Sequence, residues 1–152
     1  MKGTIIAVCT SPKKGERKKN VGRAMAKIDH GLVTDAHAGN WHRQISLLAM
    51  ESIEKMQAAG LQVGPGDFAE NLTIRGMGLM NDYAVGTRFR IGEAEVEVTQ
   101  IGKECHTRCA IYRQAGDCVM PREGIFVKVL KEGTVRVGDE IELIGSAPAP
   151  VA

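Results

Sequence analysis

The strongest constraint on what this chain can fold into is the alternation that sets in at Thr87. Phe89 and Ile91, then Val96 and Val98, take every second position on either side of a turn centred on Gly92. Successive side chains of a strand point to opposite faces, so this spacing predicts a hairpin with one buried face. Ile125 to Leu130 and Ile141 to Ile144 repeat the signal, with turn residues at Gly133 and Gly138-Asp139. Near the start, Thr4 to Thr10 is a β-branched apolar run closed by Ser11-Pro12, and it reads as a buried strand. Leu72 to Arg75 reads as another strand, and Ala24 to Ile28 and Gly31 to Thr34 as short extended pieces around a turn at Asp29-His30. Only Ile45 to Ala59 carries a helical stripe, from Ile45, Leu48, Ala49, Ile53 and Met56, and Gly60 ends it. Strands at short spacing with one or two helices predict a mainly β protein, a compact barrel or sandwich, in preference to an α/β sheet.

The 152 residues suffice for one core, so residues 1–145 are expected to form a single domain and 146–152, with Pro148 and Pro150, a flexible tail. Lys and Arg number 20 against 18 Asp and Glu, and a net charge of +2 gives no global field for nucleic acid or an anionic membrane. Any anion site must therefore be local. No apolar run approaches the roughly 18 residues of a membrane span, and the opening segment lacks the charge order of a signal peptide, so the expected compartment is the cytoplasm. Four cysteines are sparse for a disulfide scaffold, and three of them, Cys105, Cys109 and Cys118, are clustered, which in a reducing compartment points to metal or reactivity.

Four stretches carry candidate chemistry. In GKECHTRC, Cys105 follows a strand and has Lys103, His106 and Arg108 beside it; positive neighbours raise the thiolate fraction that acts as nucleophile or metal ligand, while Glu104 opposes them. A small buried cysteine is the plainer alternative. The Cys-x3-Cys spacing lacks the paired knuckles of a structural zinc site and the C-x2-C of a dithiol redox centre. In DAHAGNWHRQ, His37, His42 and Arg43 precede the predicted helix, where Arg43 offers a planar fork to a phosphate; packing of the helix entry competes with this. In GDFAENL, Asn71 can donate and accept, which suits a heterocycle such as a pterin as well as an Asx turn. Before the strand at Ile125, Arg122 and Glu123 suggest an ion pair that pins a loop, and the basic segment Lys13 to Lys19 reads as a solvated loop or a phosphate contact.

Taken in order, SPKKG, DAHAGNWHRQISLL, GDFAENLTIRG, VEVTQIGKEC and GIFVKVLKEGTVRVGDEIEL resemble the MOSC domain family, named after the C-terminal part of molybdenum cofactor sulfurases, over nearly the whole chain. The resemblance implies a β-barrel of the MOSC or pyruvate kinase β-barrel-like kind, with a few short helices. It implies binding of the molybdenum cofactor, molybdopterin, in cofactor sulfuration, carriage or maturation. Cys105 matches the family's cysteine, which would hold a persulfide or ligate molybdenum; Arg43, His37, His42, Glu70, Asn71, Lys103 and Arg108 would bind the cofactor. Ala69 stands where the family's motif usually has glycine. Full sulfurases carry a pyridoxal-phosphate-dependent domain, and this chain has neither the length nor a Schiff-base segment for one. Its expected partners are cofactor-biosynthesis or sulfur-donor proteins. A small molybdoenzyme that reduces N-hydroxylated compounds with a partner reductase, and a zinc-stabilised or purely structural partner-binding module, are the alternatives.

Overall fold

The computed structural model describes residues 1–14, 17–102 and 120–145. In chain order the strands are β1 (Lys2–Thr10), β2 (Lys19–Asn20), β3 (Arg23–Lys27), β4 (Gly31–Leu32), β5 (Ile45–Ala49), β6 (Leu72–Arg75), β7 (Arg88–Ile91), β8 (Ala94–Ile101), β9 (Ile125–Lys131), β10 (Gly133–Arg136) and β11 (Glu140–Gly145). Helix α1 spans Met50–Ala58, a 3₁₀ turn spans Met80–Asp82, and α2 is a single turn at Met120–Glu123.

The hairpin predicted around Gly92 is β7–β8, with Phe89 opposite Val96 and Ile91 opposite Ala94. Its inward residues Phe89, Ile91, Val96 and Val98 all join the main core. Pairing continues from β8 to β9, β5, β6, β1, β11 and back to β7, closing a seven-stranded barrel that leaves none of these strands as an open edge. Every ladder in the ring is antiparallel except β5–β6. Parallel neighbours need a crossover, and α1 with the loop to Asn71 supplies it on the outside of the barrel.

The helix predicted from Ile45 starts five residues later. Ile45 to Ala49 is instead a strand buried at every position. Ile45, Leu47 and Ala49 face the barrel interior, while Leu48 packs outward with Ile53, Phe68 and Phe126 beneath α1. A strand covered on both faces reads as a continuous apolar run, and that run happens to satisfy helical spacing too. The second correction is β10, which begins at Gly133 where only a turn is expected. It pairs with β3, and β3 with β4, in a small sheet that adds Val135, Ala26 and Leu32 to the barrel core. The basic segment is also not uniformly solvated, because Lys18 is 3% exposed. Residues 146–152 lie outside the described residues, and no helix among the described residues is long and apolar enough to cross a membrane.

Candidate functional site

The end of β1, the first residues of β5 and β6 and the start of β9 meet at one rim of the barrel. Asn71, just before β6, ties three of these together. Its Oδ1 accepts from the Ser46 N–H (2.9 Å) and the Ser46 hydroxyl (3.1 Å), and its Nδ2 donates to the Cys9 carbonyl (3.0 Å). The backbone answers in kind, with Asn71 N–H donating to Ser46 Oγ and Cys9 N–H to the Asn71 carbonyl. The side chain that suggested heterocycle recognition is therefore largely engaged by its own fold.

Glu70 is fully buried one residue earlier. Its Oε2 accepts from the Gly66 N–H (2.9 Å) and the Thr73 hydroxyl (2.7 Å), and its Oε1 accepts from the Phe68 N–H (3.3 Å). Burial nonetheless pushes its carboxyl above the usual 4.5, against the opposing pull of these donors. The loop it closes is tight. Gly66 has φ +88°, and a Cβ there would lie 2.2 Å from the Lys18 carbonyl oxygen, while Ala69 holds the left-handed φ of 62°. Cys9 lies beneath this loop, and burial, then the negative charge of Glu70, push its thiol up to about 12. It is a buried structural thiol.

Lys18 and Asp35 form a second buried polar group, each with a side chain 0% exposed, 2.8 Å apart. Lys18 Nζ also donates to Ser11 Oγ (3.1 Å) and meets His37 Nδ1 at 3.0 Å. Asp35 Oδ1 accepts the Ser11 N–H as well, and its Oδ2 the His37 N–H. Sequence reasoning passed over Lys18 and Ser11, because a lysine among lysines carries no local mark of burial.

Beside these groups a pocket of about 360 Å³, counting its open mouth, is lined by His37, Trp41, Arg43, Ser46, Ala69, Asn71 and Phe126. The Arg43 guanidinium carbon is 4.7 Å from the centre of the Trp41 ring and 5.7 Å from that of Phe126, and Lys14 Nζ lies 5.5 Å from Trp41. Aromatic faces attract cations, so this stack orders the guanidinium without neutralising it. Among the described residues Arg43 makes no salt bridge, and its Nε is buried without an acceptor.

The structure thus brings His37, Arg43 and Asn71 to one pocket, with Glu70 beneath it. His42 sits outside, its Nε2 3.0 Å from Gln100 Oε1 near the end of β8. Thr99 lies at a register shift between Val98 and Gln100, and its hydroxyl donates to the His42 carbonyl. Lys103, Cys105 and Arg108, like Cys109 and Cys118, lie outside the described residues. The chain leaves them at Gly102 and returns at Met120, and the Gly102 N–H donates to the Gly124 carbonyl, two residues from Phe126 on the pocket wall. Glu123 is held by α1, its carboxylate accepting from Ser52 (2.7 Å) and Lys55. Among the described residues no group of three or more His, Cys, Asp or Glu side chains is arranged to hold a metal.

The family model of the MOSC domain matches residues 34–142, more than two thirds of the chain and all of the pocket. The YuaD protein of Bacillus subtilis has a similar structure, with TM-score 0.74 and 18% identity over 93% of this chain and 94% of that one. YiiM from Escherichia coli superposes with TM-score 0.71 and 19% identity over 98% of this chain and 72% of that one. YiiM from Geobacillus stearothermophilus gives 0.62 and 17%, over 94% of this chain and 73% of that one. At these identities the likeness is one of fold. Among curated proteins none matches significantly in sequence.

Proposed function

The chain belongs to the MOSC domain family, a family associated with molybdenum cofactor binding, and from that premise we propose that the rim pocket binds this cofactor for its sulfuration, carriage or maturation. What supports the reading most directly is Arg43. An ordered guanidinium with a buried, unpartnered Nε is a donor in want of an anion, and a phosphate offers the planar oxygen pair that such a fork takes best. The pterin's phosphate is the natural occupant.

The other walls fit the same group. Trp41 and Phe126 offer flat apolar surface to a fused ring, and Asn71 keeps one amide N–H beyond the one given to Cys9. When bound, the cofactor supplies a molybdenum held by two dithiolene sulfurs, to which a further soft thiolate is a suited ligand. Cys105 is the residue assigned that part, as ligand or as carrier of a persulfide sulfur, with Lys103 and Arg108 favouring its thiolate and the bound anion. Its segment begins at Gly102, on the same rim.

The test is elemental analysis with pterin fluorescence on protein purified anaerobically from a host that makes the cofactor. Wild type is expected to carry molybdenum and pterin, Arg43→Ala to lose both, and Cys105→Ser to lose molybdenum retention or labile sulfur while folding normally. Wild type that neither carries nor takes up the cofactor would overturn the proposal, and stoichiometric zinc in its place would favour a structural module.

A further inference from the structure

We infer that the buried Lys18–Asp35 pair is a positioning device for the pocket, holding His37 as the neutral tautomer whose proton is on Nε2. The argument is one of donors and acceptors. An ammonium has three N–H donors and no acceptor, and the Lys18 ammonium is paired with the Asp35 carboxylate at 2.8 Å, both side chains cut off from water. Its three N–H groups have three partners: Asp35 Oδ1, Ser11 Oγ and His37 Nδ1. The Ser11 hydroxyl gives its own proton to the Lys13 carbonyl at 2.9 Å, so its oxygen is left to accept. His37 Nδ1, 3.0 Å from a group that can only donate, must be a bare lone pair. The imidazole proton is then on Nε2, and an imidazolium, with protons on both nitrogens, is incompatible with this contact.

The frame around the ring is equally specified. Asp35 Oδ2 accepts the His37 N–H at 3.2 Å, and the His37 carbonyl accepts from Trp41 Nε1 at 2.8 Å. One carboxylate therefore fixes both the backbone of His37 and, through Lys18, its ring chemistry. Trp41 in turn orders Arg43. A buried ion pair contributes little stability compared with apolar replacements, so its worth here lies in specification. The consequence is that the proton of the His37 ring is on the nitrogen away from Lys18, a donor of the same sense as Arg43. The inference deepens the anion-binding reading and rests on it for its purpose, although the tautomer stands on the contacts alone.

The test uses the cofactor-free protein labelled with ¹⁵N, in which two-bond ring correlations report the state of each histidine nitrogen; His37→Gln identifies the signal. Wild type is expected to show His37 with Nε2 protonated and Nδ1 bare. Lys18→Met strands the Asp35 carboxylate, so the Lys18→Met/Asp35→Asn double variant serves as the second probe, removing both charges at nearly constant volume. There the ring is expected to lose its single tautomer. An Nδ1-protonated or doubly protonated His37 in wild type, or an unaltered tautomer in the folded double variant, would overturn the inference. Inorganic phosphate then separates this from the function itself: its titration should shift the His37 signals in wild type, and bind roughly tenfold more weakly to the double variant. Equal affinity for the two would overturn the positioning role. No response in wild type would overturn the anion pocket and that role with it, while the tautomer would stand.

Discussion

Replacing Asn71 by alanine tests whether this residue frames the pocket or mainly touches what enters it. The side chain is 1% exposed and serves two backbone groups, accepting the Ser46 N–H at 2.9 Å and donating to the Cys9 carbonyl at 3.0 Å. Alanine leaves both without that partner at the junction of β1, β5 and β6. An orphaned buried polar group costs about 1–3 kcal/mol. Ser46 adjoins the pocket, where water can replace part of what is lost, so the expected total is about 2–4 kcal/mol. For a chain of this length that corresponds to a fall in melting temperature of roughly 5–15 °C. The assay is thermal unfolding followed by circular dichroism, without ligand. Asn71→Asp is the sharper control, because it keeps an acceptor for Ser46 but turns a carboxylate oxygen on the Cys9 carbonyl, and it should be at least as damaging. Arg43→Ala, in the same pocket, breaks no hydrogen bond among the described residues and should leave the melting temperature close to wild type. An Asn71→Ala protein that melts with wild type would refute the assignment of this side chain to the frame.

Three further outcomes are expected. Because burial raises the Glu70 carboxyl above 4.5, the folded state holds the proton more tightly than the unfolded, and stability falls as pH rises from that value through the raised one. Urea titrations against pH should show this slope in wild type and its absence in Glu70→Gln, whatever the constant offset; parallel curves would exclude it. Cys9, its thiol pushed up to about 12, should resist iodoacetamide in the native protein and react only on unfolding, which peptide mass mapping reads; native labelling at the rate of a free thiol would contradict its burial. Ala69→Gly releases a left-handed alanine, so denaturant titration should find it neutral or more stable by about 0.5–1 kcal/mol, and a clear loss would show that the methyl packs usefully.

The alternation at Phe89, Ile91, Val96 and Val98 was legible because one face of that hairpin is buried and the other is not, which writes a period of two into the sequence. Ile45 to Ala49 was misread for the complementary reason: with the barrel on one side and α1 on the other, both faces select apolar residues and the period vanishes. Within the site, Arg43, His37 and Asn71 stood out as polar side chains in loops, and they do meet at the pocket. What the one-dimensional pattern lacked was direction. Glu70 is as polar as its neighbour but turns inward onto Gly66, Phe68 and Thr73, a choice set by the left-handed turn at Ala69. Lys18 was hidden because its burial depends on Asp35, seventeen residues away, and on Gly66, whose lack of a side chain lets the Lys18 backbone approach.

These buried groups also explain why the pocket has the polarity it does. Among the described residues two carboxylates, those of Asp35 and Glu70, lie behind the pocket, and either one exposed there would repel an anion. Both are instead consumed from within. Asp35 is taken by Lys18 and the N–H groups of Ser11 and His37, and Glu70 by Gly66, Phe68 and Thr73. With the acceptors turned away, the polar groups on the walls among the described residues are the Arg43 guanidinium, the remaining Asn71 amide N–H and the His37 ring, with Lys14 over Trp41 at the edge. A net charge of +2 spread over 152 residues selects nothing, yet this arrangement concentrates donors at one rim and neutralises the acids behind it. On the proposed function, selectivity for an oxygen-rich anion would arise from where the carboxylates are buried as much as from where the cations are exposed. It follows that Asp35→Asn should weaken phosphate binding although Asp35 is itself an anion, the reverse of what simple charge counting predicts.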